Sequence, residues 1–142
     1  MTDYSVSIDI QAPPERVWAI MSDIRRWHEW TPSITSIRRF DEGPLRVGSR
    51  AMVRQPRVPP ALWRVTAIEE GRHFTWTTGS PIARATGRHS VEARGDGSRA
   101  TLSLEYSGIL GGMLARLLDD LNRRYLTMEA NGLKARSEGT AP

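Results

Sequence analysis

The chain contains no cysteine and a single lysine, Lys134, among its 142 residues. Without cysteine there is no disulfide, no thiol nucleophile and no thiolate metal ligand. No apolar run approaches the roughly 20 residues that a membrane-spanning helix needs. The N-terminus also lacks a basic segment followed by an apolar one, so a cytoplasmic location is expected. The sequence has no His-Glu-x-x-His and no clustered His/Asp/Glu set with metal spacing, so no metal site is expected. A dinucleotide Gly-x-Gly-x-x-Gly and a phosphate loop are missing too, and no cofactor is expected. Gly108, Gly111 and Gly112 precede a helix, but no Lys-Ser/Thr follows them. No serine sits in a nucleophile elbow.

The sequence is 39% hydrophobic, enough for a core. Its length suits one domain over residues 1–142, with a flexible tail at about 139–142. The formal net charge is +4, carried almost wholly by arginine. Such a balance favours anionic partners in general. Here the arginines are scattered among Asp and Glu, so nucleic-acid binding is not expected. Arginine in place of lysine fits a bacterial source.

Val6, Ile8 and Ile10 alternate with polar residues, which marks a half-buried strand. Pro13 and Pro14 end it, and Pro14 suits the first turn of a helix carrying Val17, Trp18 and Met21. Ser22-Asp23 offers an N-cap for a second short helical turn from Ile24 to Trp30. Strand patterns follow over Ile34–Phe40, Gly48–Arg54, Leu62–Glu69, Arg72–Thr78, Arg84–Arg94 and Arg99–Ser107, separated by Gly, Pro and Asp turn signals. From Leu110 the period becomes three to four: Met113, Leu114, Leu117, Leu118, Leu121, Tyr125 and Met128 mark one long helix from Gly111 to about Ser137. Consecutive strands with short turns argue for an antiparallel sheet, and helices at the ends of the order argue for an α+β layer arrangement. A sheet this long twists and curls. A cavity between its concave side and the long helix is then natural.

These residues resemble the START-like, helix-grip (SRPBCC) superfamily, and within it the polyketide cyclase/dehydrase and lipid-transport-like family. The resemblance rests on Ser5 to Trp18, on Ser22-Asp23 with Trp27 and Trp30-Thr31-Pro32, and on Val47-Gly48-Ser49. Arg64-Val65-Thr66, Gly87-Arg88-His89, Gly132-Leu133-Lys134 and Glu138 extend it over nearly the whole chain. It implies a curved antiparallel sheet of about seven strands around a long C-terminal helix, with two short helices between strands 1 and 2. It also implies a cavity gated by the loops Gln55–Ala61 and Gly79–Ile82.

Candidate site residues follow from that placement. Val58 and Pro59 belong to a proline-stiffened loop that reads either as a lid or as an ordinary edge-protecting connector. Ile82 lies in the second gating loop. His89 shares a strand face with Gly87 and Val91 and is a candidate general acid or base, or a plain polar wall; the sequence identifies no partner for it. Arg54 lies on the face of Arg50 and Met52. If that face is concave, Arg54 meets a ligand anion; if Ala51 and Val53 face in, it is solvated. Trp27, Trp30, Trp63, Trp76, Tyr106 and Tyr125 offer flat surfaces, with Trp76 and Tyr125 preferred for ligand contact and Trp18 assigned to the core. Met52, Met113, Leu114, Leu117, Leu118 and Leu121 offer adaptable apolar wall.

The expected function is enclosure of a small hydrophobic molecule, aromatic, polyketide-like or lipid, by a monomer or homodimer. The alternative is a cyclase or dehydratase acting on such a molecule in the same cavity, with His89 or Arg54 as catalytic candidates.

Overall fold

The computed structural model describes residues 2–139. Seven strands form one antiparallel sheet: β1 (Thr2–Ile10), β2 (Ser36–Arg39), β3 (Arg50–Arg54), β4 (Ala61–Glu69), β5 (His73–Gly79), β6 (Arg84–Arg94) and β7 (Gly97–Ser107). Their order is β1-β7-β6-β5-β4-β3-β2, so every pair except β1–β7 joins neighbours in sequence. Between β1 and β2 lie α1 (Pro14–Met21) and a 3-10 helix (Ile24–Glu29), and the described chain ends with α2 (Gly111–Leu117) and α3 (Asp119–Ser137). This is the helix-grip arrangement. The expected tail lies, apart from Gly139, outside the described residues.

The opening segment folds as its prolines dictate. Pro13 is extended, with φ −67° and ψ 153°, and its carbonyl accepts from the amides of Arg16 and Val17. Pro14 starts α1, and Glu15 places a negative charge in its first turn, where the helix dipole favours it. Val17, Trp18 and Met21 are buried, Trp18 beside Phe74 in an edge-to-face contact. Trp27 is buried as well, its indole N–H donating to the Met21 carbonyl at 3.0 Å. Trp18 is a core residue, as expected.

One element departs from the sequence reading. The C-terminal helix is broken at Leu118, where φ is −107° and ψ 14°. The Tyr4 hydroxyl lies 2.9 Å from both the Ala115 carbonyl and the Asp119 carboxylate, bridging the break from β1. Asp119 and Asp120 then open α3 with the charge that its N-terminus favours. Leucine periodicity passes through Leu118 without a phase change, so hydrophobicity alone does not reveal the break.

α3 is held tightly at its C-terminal half. Ala130 and Leu133 are 1% exposed. Arg16 of α1 donates to the carbonyls of Arg136 and Ser137, covering orphan acceptors at the helix end. Gly132 passes so close to the 3-10 helix that a Cβ there would lie 2.0 Å from the Trp30 carbonyl oxygen. Gly132→Ala is therefore expected to lower the unfolding free energy by about 1–3 kcal/mol, the usual cost of overpacking. Denaturant titration measures it, and an unchanged midpoint would mean that the two backbones do not meet this closely.

Candidate functional site

The inward side of the sheet is set by strand parity. Ala51 and Val53 on β3 are buried, 1% and 3% exposed, so Arg50, Met52 and Arg54 point away from the helix side. This resolves the alternatives for Arg54: it is a solvated residue on the outer face. Met52 is paired there with Leu62 and Arg38 and forms no cavity wall. Along the inner face run Trp63 and Val65 of β4, Phe74 and Trp76 of β5, Gly87, His89 and Val91 of β6, and Leu102, Leu104 and Tyr106 of β7.

Between this face and α3 lies a two-lobed cavity. The inner lobe, about 80 Å³, is lined by Trp27, Ile34, Val53, Trp76, Gly87, His89, Leu126 and Glu129 among others. The outer lobe, about 270 Å³, is lined by Val58, Pro59, Ala61, Ala85, Tyr106, Leu114, Leu118 and Leu121 among others. Gln55, Trp63, Leu104, Asn122 and Tyr125 line both lobes, so the two adjoin. Gly87 makes room for the indoles: a Cβ there would sit 3.1 Å from Trp76 Nε1 and 3.7 Å from Trp63.

The two gating loops differ. The Gln55–Ala61 loop reaches across to α3, where the Tyr125 hydroxyl donates to the Pro56 carbonyl. Arg57 holds φ at +70°, a left-handed backbone that is unfavourable for a residue with a Cβ. The Gly79–Ile82 loop is a tight turn closed by paired Ser80 and Ala83 backbone bonds. Ile82 at its tip is 54% exposed and stands outside the lining.

Met113 and Leu117 are exposed as well, 53% and 73%, and line neither lobe. They sit on α2, which the break at Leu118 sets apart from the axis of α3. The remaining candidates, Val58, Pro59, Trp63, Trp76, His89, Tyr106, Leu114, Leu118, Leu121 and Tyr125, are brought together around the two lobes.

The chemistry concentrates in the inner lobe. His89, only 6% exposed, stacks on Phe74 with ring centroids 4.6 Å apart and planes inclined by 8°. Trp27 lies 5.0 Å from the imidazole and Trp76 meets it edge-on at 6.0 Å. Its Nε2 is 3.7 Å from Oε1 of Glu129, and its buried Nδ1 has no hydrogen-bond partner. Glu129, 9% exposed, receives no hydrogen bond among the described residues. Asn122 accepts from the Tyr106 hydroxyl at 3.1 Å, while its buried Nδ2 has no partner. Burial pushes the Tyr106 phenol above its ordinary pKa, and the Asn122 hydrogen bond acts in the opposite direction.

Asn122 and Glu129 are the residues the sequence reading missed. They occupy the same α3 face as Leu126, Ala130 and Leu133. Their spacing was the available signal, since they stand at positions 122, 126, 129 and 133 of one helical stripe. A stripe traced only through apolar side chains passes over them. Glu129 also supplies the partner that His89 lacked in the sequence.

Burying polar groups without protein partners costs stability, and native cores contain few of them. Among the described residues, no group of three His, Asp or Glu side chains is placed to hold a metal ion. Among the described residues, no helix is long and apolar enough to cross a membrane.

The model of a family described as polyketide cyclase / dehydrase and lipid transport matches residues 1–138. No curated protein matches the chain. Among solved structures, the Thermus thermophilus protein TTHA0849 is 19% identical over 99% of this chain and 100% of its own, with a TM-score of 0.78. The Zhui aromatase/cyclase of Streptomyces sp. R1128 is 14% identical over 96% of this chain and 93% of its own, with a TM-score of 0.77. The di-domain aromatase/cyclase BexL of the BE-7585A biosynthetic pathway is 17% identical over 100% of this chain and 48% of its own, with a TM-score of 0.73. At these identities the likeness is one of fold.

Glu129→Met, which keeps the length of the side chain and removes the buried carboxylate, is expected to raise the unfolding free energy by about 1 kcal/mol. Denaturant titration of both proteins checks this. A lower midpoint for the variant would show that the carboxylate serves the fold.

Proposed function

Because the chain belongs to the polyketide cyclase / dehydrase and lipid transport family, we propose that it encloses a small, largely apolar, flat molecule between the sheet and α3. The observation that carries this reading is the adjoining pair of lobes walled by Trp27, Trp63, Trp76 and Tyr125. Indole and phenol surfaces bury large apolar area with little loss of rotamer freedom, which suits them to ring-bearing ligands. The lobes together stand at the small end of the roughly 300–1,000 Å³ usual for ligand pockets. A ligand of one or two rings matches that space. The Gln55–Ala61 loop, latched to α3 through Tyr125, covers one side of it.

A second reading rests on one specific observation, the buried His89 beside the buried Glu129. An imidazole held 3.7 Å from a carboxylate, in a pocket that also admits an apolar ligand, is placed for proton transfer to or from an enolisable carbonyl compound. In that reading the protein is an enzyme of the cyclase or dehydratase kind. His89 moves the proton, Glu129 orients the imidazole and balances its positive form, and the cavity walls fold the substrate. Phe74, stacked on His89, fixes the plane of the ring.

Both readings are tested with simple aromatic probes. Titration with β-naphthol is expected to change tryptophan emission saturably in the wild type. Ala85→Phe, which fills part of the outer lobe, is expected to weaken that binding about tenfold or more with an unchanged far-ultraviolet spectrum. Equal affinity in the two proteins would move the ligand out of the cavity. For the enzymatic reading, deuterium exchange at the α-carbon of β-tetralone is expected to be faster with protein than without. His89→Gln is expected to remove an enhancement of about 10²–10⁴. Absence of any enhancement in the wild type would leave binding alone.

A further inference from the structure

We propose that the inner lobe is a subsite for a compact organic cation, a tertiary or quaternary ammonium group carried by the apolar ligand. The inference rests on the ligand-binding reading and names the polar end of that ligand. It starts from three indoles set as walls at angles to one another. Trp27 and Trp76 have ring centroids 5.4 Å apart with planes inclined by 64°, and Trp63 and Trp76 are 5.3 Å apart with planes inclined by 35°. Rings inclined in this way bound a corner rather than forming a parallel stack. A cation in such a corner meets the negative faces of aromatic rings, and tryptophan is the strongest partner of this kind.

The second observation is independent of the rings. Glu129 lines the same lobe, its side chain is only 11% exposed, and it receives no hydrogen bond among the described residues. No lysine or arginine lines the inner lobe. A carboxylate held largely out of water is stabilised by a positive group beside it. The one titratable group facing it from the sheet is His89, whose Nε2 at 3.7 Å lies beyond hydrogen-bond distance. A bulky ammonium group satisfies the carboxylate through charge without needing a donor at hydrogen-bond distance. The same group fills the apolar space beside the indoles, and a hydrated inorganic ion has no comparable fit to an aromatic wall.

The lining continues outward in a consistent way. From the inner lobe the cavity opens past Trp63, Leu104 and Tyr125 into the larger outer lobe beneath the Val58-Pro59 loop, whose lining is mostly apolar and includes one cation, Arg84. An amphiphile with a compact cationic head and a ring or short hydrocarbon body would therefore enter head first. Its charge would come to rest on Glu129, and its body would lie against Leu114, Leu118 and Leu121.

The test compares two molecules of one shape: benzyltrimethylammonium, and neopentylbenzene, in which a neutral carbon replaces the nitrogen. Each is titrated against the complex of the wild type with β-naphthol, and displacement is read from tryptophan emission. The cation is expected to compete about tenfold or more better than its neutral isostere. In Glu129→Gln, which keeps the shape of the side chain, that preference is expected to collapse toward unity. Trp63→Leu is expected to weaken the cation more than the isostere. Equal competition by the two probes in the wild type overturns the inference, because the inner lobe then gives no preference to positive charge. The ligand-binding reading survives that result, since neopentylbenzene still displaces β-naphthol. If β-naphthol itself fails to bind, both fall.

Discussion

Everything in this molecule that bears on function depends on where α3 is clamped. At its C-terminal half the helix lies directly on its neighbours. Gly132 passes the Trp30 carbonyl, Ala130 and Leu133 are sealed, and Arg16 covers the last carbonyls. Lys134 and Glu138 add a tie to the end of β1, the carboxylate accepting from the Gln11 amide at 2.9 Å and the ammonium group donating to the Asp9 carbonyl at 3.1 Å. That amide, with Lys134 beside it, holds the Glu138 carboxyl below its ordinary pKa. Toward its other end the helical segment is linked to the sheet through side chains instead, Tyr4 reaching Ala115 and Asp119 and Tyr106 reaching Asn122, and a separation remains between helix and sheet. The cavity fills that separation, and its lining runs from Glu129 back to Leu114. A cavity of this origin survives modest changes in its wall, because the clamp that creates it lies elsewhere.

The same geometry explains which parts of the site can be read from sequence. Strand alternation, the Pro13-Pro14 stop and the turn residues are local signals, and they correctly predict a seven-stranded antiparallel sheet with helices before β2 and after β7. Inward strand positions such as Trp63, Trp76, His89 and Tyr106 follow from parity once the buried face is chosen. For β3 that choice stays open between Arg54 and Val53, since either face carries apolar side chains, and only the packed structure decides it. The C-terminal helix is less legible. Its apolar stripe passes through Leu118, so Met113 and Leu117 look equivalent to Leu114 and Leu121. In the structure the first two are exposed while Leu114, on the same α2, lines the outer lobe. The break at Leu118 is bridged by the Tyr4 hydroxyl reaching Ala115 and Asp119, a contact across more than a hundred residues that no local pattern contains.

Asn122 and Glu129 are hidden for a different reason. They stand on the buried stripe with helical spacing, but a search for hydrophobic periodicity discounts polar residues by construction. Their burial matters because the protein does not complete their hydrogen bonding. The Asn122 side chain uses its oxygen for Tyr106 and keeps its nitrogen free, and Glu129 faces His89 at a distance too long for a hydrogen bond. In a core devoted to stability such positions would be leucine. Asn122 and Glu129 instead place polar groups on one small, aromatic-walled lobe.

Tyr125 joins the two halves of this picture. Its ring lines both lobes while its hydroxyl holds Pro56, next to the left-handed Arg57. The residue that walls both lobes is thus the residue bonded to the covering loop. Arg57 keeps a backbone conformation that most residues avoid, so the loop depends on its latch for that shape. The covering loop and the cavity wall thus meet in one side chain, at a distance along α3 from the clamp around Gly132.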